Sequence, residues 1–118
     1  MYESKDSISW DNIESLICKL CAQIRASEYT SIYGIRRGGL IPAVLLSHKL
    51  NLPLIDFVSD NRVLIVDDIA DSGRTLLQYK DSNDIAVLFC RNTSSFVPRY
   101  IGKTITHSDW LIFPWETK

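Results

Sequence analysis

One stretch, residues 62–76, constrains the fold of this chain more than any other part of its sequence. It reads Arg-Val-Leu-Ile-Val-Asp-Asp-Ile-Ala-Asp-Ser-Gly-Arg-Thr-Leu. Residues 63–66 form a continuous apolar run, rich in β-branched side chains, that is typical of a strand buried on both faces of a parallel sheet. Ligands of such sheets bind beyond the carboxyl ends of the strands, where Asp67 and Asp68 lie. The stretch therefore predicts an α/β domain with a binding site at these two acids.

A turn suited to an anion follows the two acids. Its residues are Asp71, Ser72, Gly73, Arg74 and Thr75, and we expect residues 76–80 to form a short helix. A glycine permits a tight turn, and successive N–H groups at a helix N-terminus bind phosphate, with help from hydroxyls and a guanidinium. Adjacent acids are costly to hold together without a cation or hydroxyl-rich ligand. The stretch suits a ligand with sugar hydroxyls, a metal ion and a phosphate; an ordinary strand-to-helix connection is the alternative.

A second candidate anion site comes earlier in the chain, after the strand predicted at residues 31–35. It consists of Arg36, Arg37, Gly38 and Gly39 and precedes a helix predicted at residues 40–50. Turn amides and guanidinium groups together bind anions well. Taken alone, this Arg-Arg-Gly-Gly sequence fits a solvated basic turn equally well.

Strands and helices alternate through the centre of the chain. Residues 11–26 have the apolar spacing of an amphipathic helix, capped by Ser9 or by Asp11 with Glu14. Further strands are predicted at 54–58, 85–89, 100–102 and 111–113. This alternation predicts a mostly parallel sheet with right-handed crossovers and helices on both faces. We expect one domain spanning 1–118, with 1–8 as a flexible N-terminal tail.

Composition excludes several other classes of protein. The chain has 118 residues and a net charge of -1, which gives no electrostatic basis for binding nucleic acid or an anionic membrane. No apolar stretch reaches membrane-spanning length and the N-terminus lacks a signal-peptide pattern, so we expect a cytoplasmic protein. Cys18 and Cys21 form a C-x-x-C pair. We interpret them as small buried helix residues, because no second pair or nearby histidine completes a zinc site.

Residues 62–76 closely resemble the phosphoribosyl pyrophosphate (PRPP) signature of the type I phosphoribosyltransferases. The resemblance implies their single-domain Rossmann-like fold, and it makes residues 36–39 the pyrophosphate loop, with a cis peptide at Arg36–Arg37. Flanking sequences are similar to the xanthine-guanine subgroup: Ser9-Trp10-Asp11, Phe89-Cys90-Arg91 and the segment 109–116. An arginine stands at 91 where that subgroup has a lysine. Among the late aromatic residues, we interpret Phe113 and Trp115 as core residues, and Trp110 is the candidate to offer a ring face to a purine.

The family resemblance implies a Mg²⁺-dependent enzyme of purine salvage, a pentosyl (glycosyl) transferase. It would move 5-phosphoribose from PRPP to N9 of guanine, xanthine or hypoxanthine and release pyrophosphate. Asp67 and Asp68 would bind the metal and the ribose hydroxyls, and residues 71–75 the 5-phosphate. Asp71 would be the general acid/base, and residues 36–39 would bind pyrophosphate. Arg91, Trp110 and Leu111 would bind the base.

The chain departs from the family pattern just before the signature. The family has a long loop there that closes over the substrates, whereas Ser59-Asp60-Asn61 alone separates the strands predicted here. Because lids exclude water from reactive intermediates, three explanations stand: a neighbouring subunit covers the site, the enzyme is inefficient, or the domain binds PRPP without turnover as a regulatory module. An enzyme for a non-purine acceptor is a further alternative. We expect a homodimer or homotetramer.

Overall fold

The computed structural model describes residues 4–116, which form seven strands and two α-helices. The elements are β1 (Lys5–Ser7), α1 (Trp10–Gln23), β2 (Ser31–Gly34), α2 (Leu40–Leu50), β3 (Leu54–Ile55), β4 (Val63–Ala70), β5 (Ile85–Arg91), β6 (Tyr100–Ile105) and β7 (Trp110–Ile112), with 3₁₀ helices at Ala26–Glu28 and Thr75–Tyr79. Neither α-helix in this described part is long and apolar enough to cross a membrane.

The main sheet has five parallel strands in the order β3-β2-β4-β5-β6. From β2 the chain crosses outward to β3, at one edge of the sheet. From β4 it crosses in the opposite direction to β5 and then to β6, at the other edge. β2 and β4 are neighbours, so the gap between their carboxyl ends is the point where the strand order reverses. Open α/β sheets bind their ligands at this switch point. Both predicted anion loops follow these two strands.

The sheet packs on both faces, as its buried strands predict. Side chains of β4 alternate between two apolar clusters: Leu64 and Val66 face α1 and α2, whereas Val63 and Ile65 pack with Leu76 on the opposite face. The predicted flanking by helices is confirmed. The element on the second face is a 3₁₀ helix, Thr75–Tyr79, and loops complete its cover.

Ser9 begins α1 through a capping box. Its Oγ accepts a hydrogen bond from the Asn12 backbone N–H at 3.1 Å, and the Asn12 side chain accepts one from the Ser9 N–H at 3.1 Å. The alternative cap at Asp11 is therefore wrong. Ile13, Leu16 and Ile17 are buried against the sheet, and α2 tolerates Pro42 in its first turn, where a proline N–H is not needed.

The predicted flexible tail is wrong for residues 4–8. β1 pairs in parallel with β7 in a separate two-stranded sheet. Ser4 O accepts from Trp110 N at 2.8 Å, and Ile8 N donates to Ile112 O at 2.8 Å. Ile8 is also buried, which gives the segment an apolar anchor in addition to its backbone pairing. Residues 1–3 of the predicted tail lie outside the described residues.

Several strands are longer than their apolar runs predict, and one is shorter. β4 continues to Ala70 and β5 to Arg91, because the two strands stay paired as far as Ala70 and Cys90. Asp67, Asp68 and Arg91 therefore lie on strands rather than beyond them. β3 ends at Ile55, so residues 56–62 connect it to β4 instead of the predicted three-residue turn.

The cysteines are free thiols in three different environments: Cys18 is exposed, Cys21 is half-buried and Cys90 is buried. The prediction that Cys18 is a buried helix residue is wrong, because it lies on the solvent side of α1. Within residues 4–116, no group of three or more cysteine, histidine or acidic side chains could hold a metal ion.

Candidate active site

The turn at residues 71–75 forms a small concave cradle at the end of β4. Gly73 has φ of 87°, a left-handed conformation that glycine adopts readily. A Cβ there would lie 2.6 Å from Ser94 Oγ and 2.8 Å from Phe96 N. The cradle is lined by Asp67 and residues 69–76. The turn amides, the hydroxyls of Ser72 and Thr75 and the charge of Arg74 in this lining suit a phosphate group.

The loop after β5 supports this cradle from behind. Ser95 donates from its backbone N–H and from its Oγ to the Ser72 carbonyl, both at 2.8 Å. Ser94 Oγ in turn donates to Phe96 O at 2.7 Å. From sequence alone, the polar run at residues 92–95 indicates only a loop. Its supporting role depends on a contact between distant segments, for which the sequence carries no local signal.

Asp67 and Asp68 are adjacent acids on β4, of which Asp67 is buried and Asp68 half-buried. Asp67 Oδ1 accepts from the Asp68 N–H at 2.9 Å, and Asp68 Oδ1 accepts from the Ile69 N–H at 2.8 Å. Burial, followed by repulsion from the Asp68 carboxylate, raises the pKa of Asp67 to about 8. Burial also raises the pKa of Asp68 above its usual range. The pair is therefore electrostatically unfavourable in its charged form, and a cation would relieve this.

The loop after β2 lies directly against these acids. The Arg36–Arg37 peptide is cis, as the family resemblance implied. A Cβ at Gly38 would overlap the Asp68 carboxylate, and one at Gly39 would overlap the Val66 carbonyl. The two glycines therefore permit a close approach of this loop to β4, directly beside the acid pair.

A third group of residues encloses a cavity of about 100 Å³ beside Asp68 and Asp71. The rest of its lining comes mainly from the end of the chain: Ile69, Arg91, Trp110, Leu111, Phe113 and Glu116. Trp110 is 43% exposed, whereas Leu111 is buried. The structure thus brings all three predicted candidates for base binding to one cavity with the predicted acid/base.

Trp110 and its neighbours are held in place by the β1–β7 sheet and by aromatic packing. Phe113 stacks on Trp115 with ring centroids 4.9 Å apart and an interplanar angle of 9°. Phe113 is buried and Trp115 partly buried, which agrees with their interpretation as core residues. Trp110 and Phe113 both line the cavity, and Trp110 is the more exposed of the two rings.

Arg91 is nearly buried, with 6% of its side chain exposed, and it contacts several protein acceptors. Its Nε donates to Asp71 Oδ1 at 2.7 Å. The two terminal nitrogens donate to His107 O at 2.9 Å and to Asp109 O at 2.7 Å. Sequence reasoning missed these carbonyl partners, because backbone acceptors leave no mark in a pattern of side chains.

The connection that would carry a lid is short. Residues 56–62 join β3 to β4 with a few bends and turns, and Phe57 there is 63% exposed. Arg36 and Phe57 line a wider cleft of about 510 Å³ at this side of the site. No long segment rises over the acids from this connection within the described part of the chain.

Known proteins similar to this chain are phosphoribosyltransferases, although no protein-family model matches it. A xanthine-guanine phosphoribosyltransferase of Chromohalobacter salexigens is 26% identical over 140 aligned positions, covering 98% of this chain and 86% of that protein. One of Cereibacter sphaeroides is 26% identical over 149 positions, covering 98% and 89%. These alignments exceed the 118 residues of this chain, so both relatives carry residues that it lacks.

Solved structures give the same result. A purine phosphoribosyltransferase from Pyrococcus horikoshii is 31% identical, with a TM-score of 0.84, and the match covers 98% of this chain and 95% of that chain. A xanthine-guanine-hypoxanthine phosphoribosyltransferase of Helicobacter pylori has a TM-score of 0.76 at 18% identity, a likeness of fold alone. The α/β fold that the resemblance implied is confirmed.

Proposed function

This chain belongs to the type I phosphoribosyltransferase family, a family of enzymes, and we propose that it is a purine phosphoribosyltransferase of the salvage type. It transfers 5-phosphoribose from PRPP to N9 of a 6-oxopurine (guanine, xanthine or hypoxanthine) and releases pyrophosphate. One observation carries this proposal. The cavity that joins Asp68 and Asp71 of the PRPP signature is also lined by Trp110 and Leu111, so a planar base there would lie beside the bound ribose.

PRPP fits across the two anion loops. Residues 71–75 hold the 5-phosphate through backbone N–H groups and the hydroxyls of Ser72 and Thr75, with Arg74 adding charge. Arg36, Arg37, Gly38 and Gly39 hold the pyrophosphate. Their contact with β4 through Gly38 sets the two ends of PRPP at fixed positions. Pyrophosphate gains charge as its bond to C1 breaks, and the arginines stabilise that charge.

Asp67 and Asp68 fit a magnesium ion that completes its coordination with water and substrate oxygens. Mg²⁺ commonly binds through one or two carboxylates plus phosphate oxygens, and the raised pKa of Asp67 indicates a carboxylate that needs a cation. Bound there, Mg²⁺ supplies charge neutralisation for the leaving group. The same carboxylates accept hydrogen bonds from the ribose hydroxyls.

Asp71 takes the acid/base role in this proposal. As purine N9 forms its bond to C1 of the ribose, the carboxylate accepts the proton from N7. Trp110 lies against the face of the base, and Leu111 lines its edge. The chain provides no covalent nucleophile in this scheme, so positioning and charge stabilisation carry the catalysis.

We propose that the protein works as a homodimer or homotetramer in which a neighbouring subunit covers the open side of the site. The short connection at residues 56–62 and the exposed Phe57 beside Arg36 support this. Sedimentation velocity at assay concentration tests it: a dimer or tetramer is expected, and a monomer at all concentrations would exclude it.

A panel of bases tests the proposed reaction. The protein is incubated with PRPP, Mg²⁺ and, in separate reactions, guanine, xanthine, hypoxanthine, adenine and orotate, and the nucleotides formed are quantified by chromatography. We expect products from 6-oxopurines, and a loss of at least about 100-fold in kcat for Asp71→Asn. Asp81→Asn, an exposed acid on the surface, is the matched control. Preference for orotate would indicate a non-purine acceptor, and PRPP binding without any product would indicate a regulatory module.

A further inference from the structure

We infer that Arg91 is a positioning residue that fixes the Asp71 carboxylate and the backbone of residues 107–109 relative to each other, rather than a simple cation for the base. This inference rests on the proposed function, because it assigns a role within that reaction. It differs from the role that the family resemblance implied, in which residue 91 selects the base by direct contact.

The guanidinium binds acceptors from two separate segments. Its Nε donates to Asp71 Oδ1 at 2.7 Å, in the loop after β4. The terminal nitrogens donate at 2.9 Å and 2.7 Å to the carbonyls of His107 and Asp109, in the loop before β7. Because these donors form one planar rigid fork, the position of the carboxylate and that of the two carbonyls are set together.

The second segment leads directly into the base cavity. Asp109 is followed by Trp110, the first residue of β7. The same segment is also tied to the N-terminus, since Ser4 Oγ donates to Asp109 Oδ1 at 2.6 Å. A shift of the His107 and Asp109 carbonyls would therefore move the ring of Trp110 with respect to Asp71.

Burial makes this link strong. Arg91 is 6% exposed, whereas the Asp71 side chain is 44% exposed and faces the cavity. Loss of the guanidinium would leave two partly buried carbonyls without their donor, which is costly. Lysine is a poor replacement, because a single ammonium group has no fixed fork that spans the carboxylate and both carbonyls.

A double-mutant cycle tests the link to Asp71. Steady-state kinetics are measured for Arg91→Gln, for Asp71→Asn and for the double variant. We expect Arg91→Gln to lower kcat at least about tenfold in the unmodified background but less than about threefold in the Asp71→Asn background. Equal losses in both backgrounds would overturn the inference.

The conservative variant separates the two contacts. Arg91→Lys keeps a positive charge near Asp71. We therefore expect its kcat to lie closer to the wild-type value than its KM for the base does. Wild-type values of both constants would show that a simple cation suffices and would overturn the inference. Arg62→Gln is the matched control, since Arg62 also donates to two backbone carbonyls, those of Ser27 and Glu28, far from the site.

An NMR measurement tests the link without any turnover. The Arg91 Nε–H resonance should exchange slowly with solvent, and Asp71→Asn should shift it and speed its exchange, whereas Asp81→Asn should not. An unchanged resonance in Asp71→Asn would overturn the inference. If the protein formed no nucleotide from any base, only the proposed function would be contradicted. The NMR measurement would still decide the role of Arg91. It does so even if the Arg91→Gln variant fails to fold.

Discussion

Gly38 lies so close to the side chain of Asp68 that a Cβ at residue 38 would overlap the Asp68 carboxylate. Gly38 belongs to the loop after β2, and Asp68 to β4, the neighbouring strand. The proposed pyrophosphate site and the proposed metal site are therefore in direct contact. A substitution at either site should therefore alter binding at the other.

Gly38→Ala tests this contact. The added methyl group would displace the Asp68 carboxylate or the loop, and overpacking of this kind costs about 1–3 kcal/mol. We expect the KM for PRPP to rise about tenfold or more, with a fall of several degrees in the melting temperature. Ser59→Ala, at an exposed position of the connection between β3 and β4, is the control and should leave KM unchanged. A wild-type KM in Gly38→Ala would contradict the account.

The raised pKa of Asp67 predicts how stability depends on pH when divalent cations are absent. The folded protein holds this proton more tightly than the unfolded chain, in which an aspartate has a pKa of about 4. The stabilisation that Asp67 contributes to the free energy of unfolding is therefore complete below about pH 4. It is lost as pH rises through the pKa of Asp67 in the folded protein, about 8. Melting temperatures in EDTA should fall across this interval.

Asp67→Asn should flatten this dependence, because the amide does not titrate. Mg²⁺ together with pyrophosphate should stabilise the unmodified protein more at pH 8 than at pH 5, since binding favours the ionised carboxylates. Asp81→Asn should retain the original slope. The same slope in Asp67→Asn as in the unmodified protein would show that another group causes it.

Trp110→Ala should weaken binding of the base without affecting PRPP. Stacking of aromatic groups contributes about 0.5–1.5 kcal/mol beyond their burial, so KM for guanine should rise by roughly two- to tenfold. Trp110→Phe should keep most of the affinity, because it retains a ring face. Trp10→Ala removes another exposed tryptophan, one that packs on Trp115, and should have no effect on KM. An equal rise in the KM for PRPP would point to general damage.

The short connection at residues 56–62 predicts that water competes with the base in a protomer that no neighbouring subunit covers. Lids protect reactive intermediates from hydrolysis, and this connection is too short to reach across the acids. In protein diluted until it dissociates, pyrophosphate should therefore form faster than nucleotide under saturating guanine, and ribose 5-phosphate should account for the difference. Parallel assays of the three products, with dissociated and with assembled protein, measure this. Equal rates of pyrophosphate and nucleotide formation in the dissociated protein would mean that the isolated protomer closes its own site.

The sequence predicts the centre of this molecule well, because the relevant signals are local. The apolar run at 63–66 indicates a buried strand whichever partners it has, and Gly73 indicates a turn. The positions of Asp71 and Arg36 follow from the parallel sheet, since the carboxyl ends of its strands meet at one edge. The cis peptide at Arg36–Arg37 was expected only from the family resemblance, since no local pattern encodes it.

The remaining features depend on contacts between distant segments. Lys5, Asp6 and Ser7 show no apolar alternation, and they form a strand because β7 offers its backbone. Two of the partners of Arg91 are backbone carbonyl groups, which every residue possesses. The early end of β3 reflects its place at the edge of the sheet, where only β2 pairs with it. In each case the deciding atom belongs to the backbone, which sequence patterns do not distinguish.

The most direct measurement of the central claim is the identity of the product. The purified protein is incubated with PRPP, Mg²⁺ and labelled guanine, and the nucleotide is isolated and its glycosidic linkage determined by NMR. The account predicts guanosine monophosphate linked through N9, with formation greatly reduced in Asp71→Asn. Tight PRPP binding with no nucleotide from guanine, xanthine or hypoxanthine would contradict it.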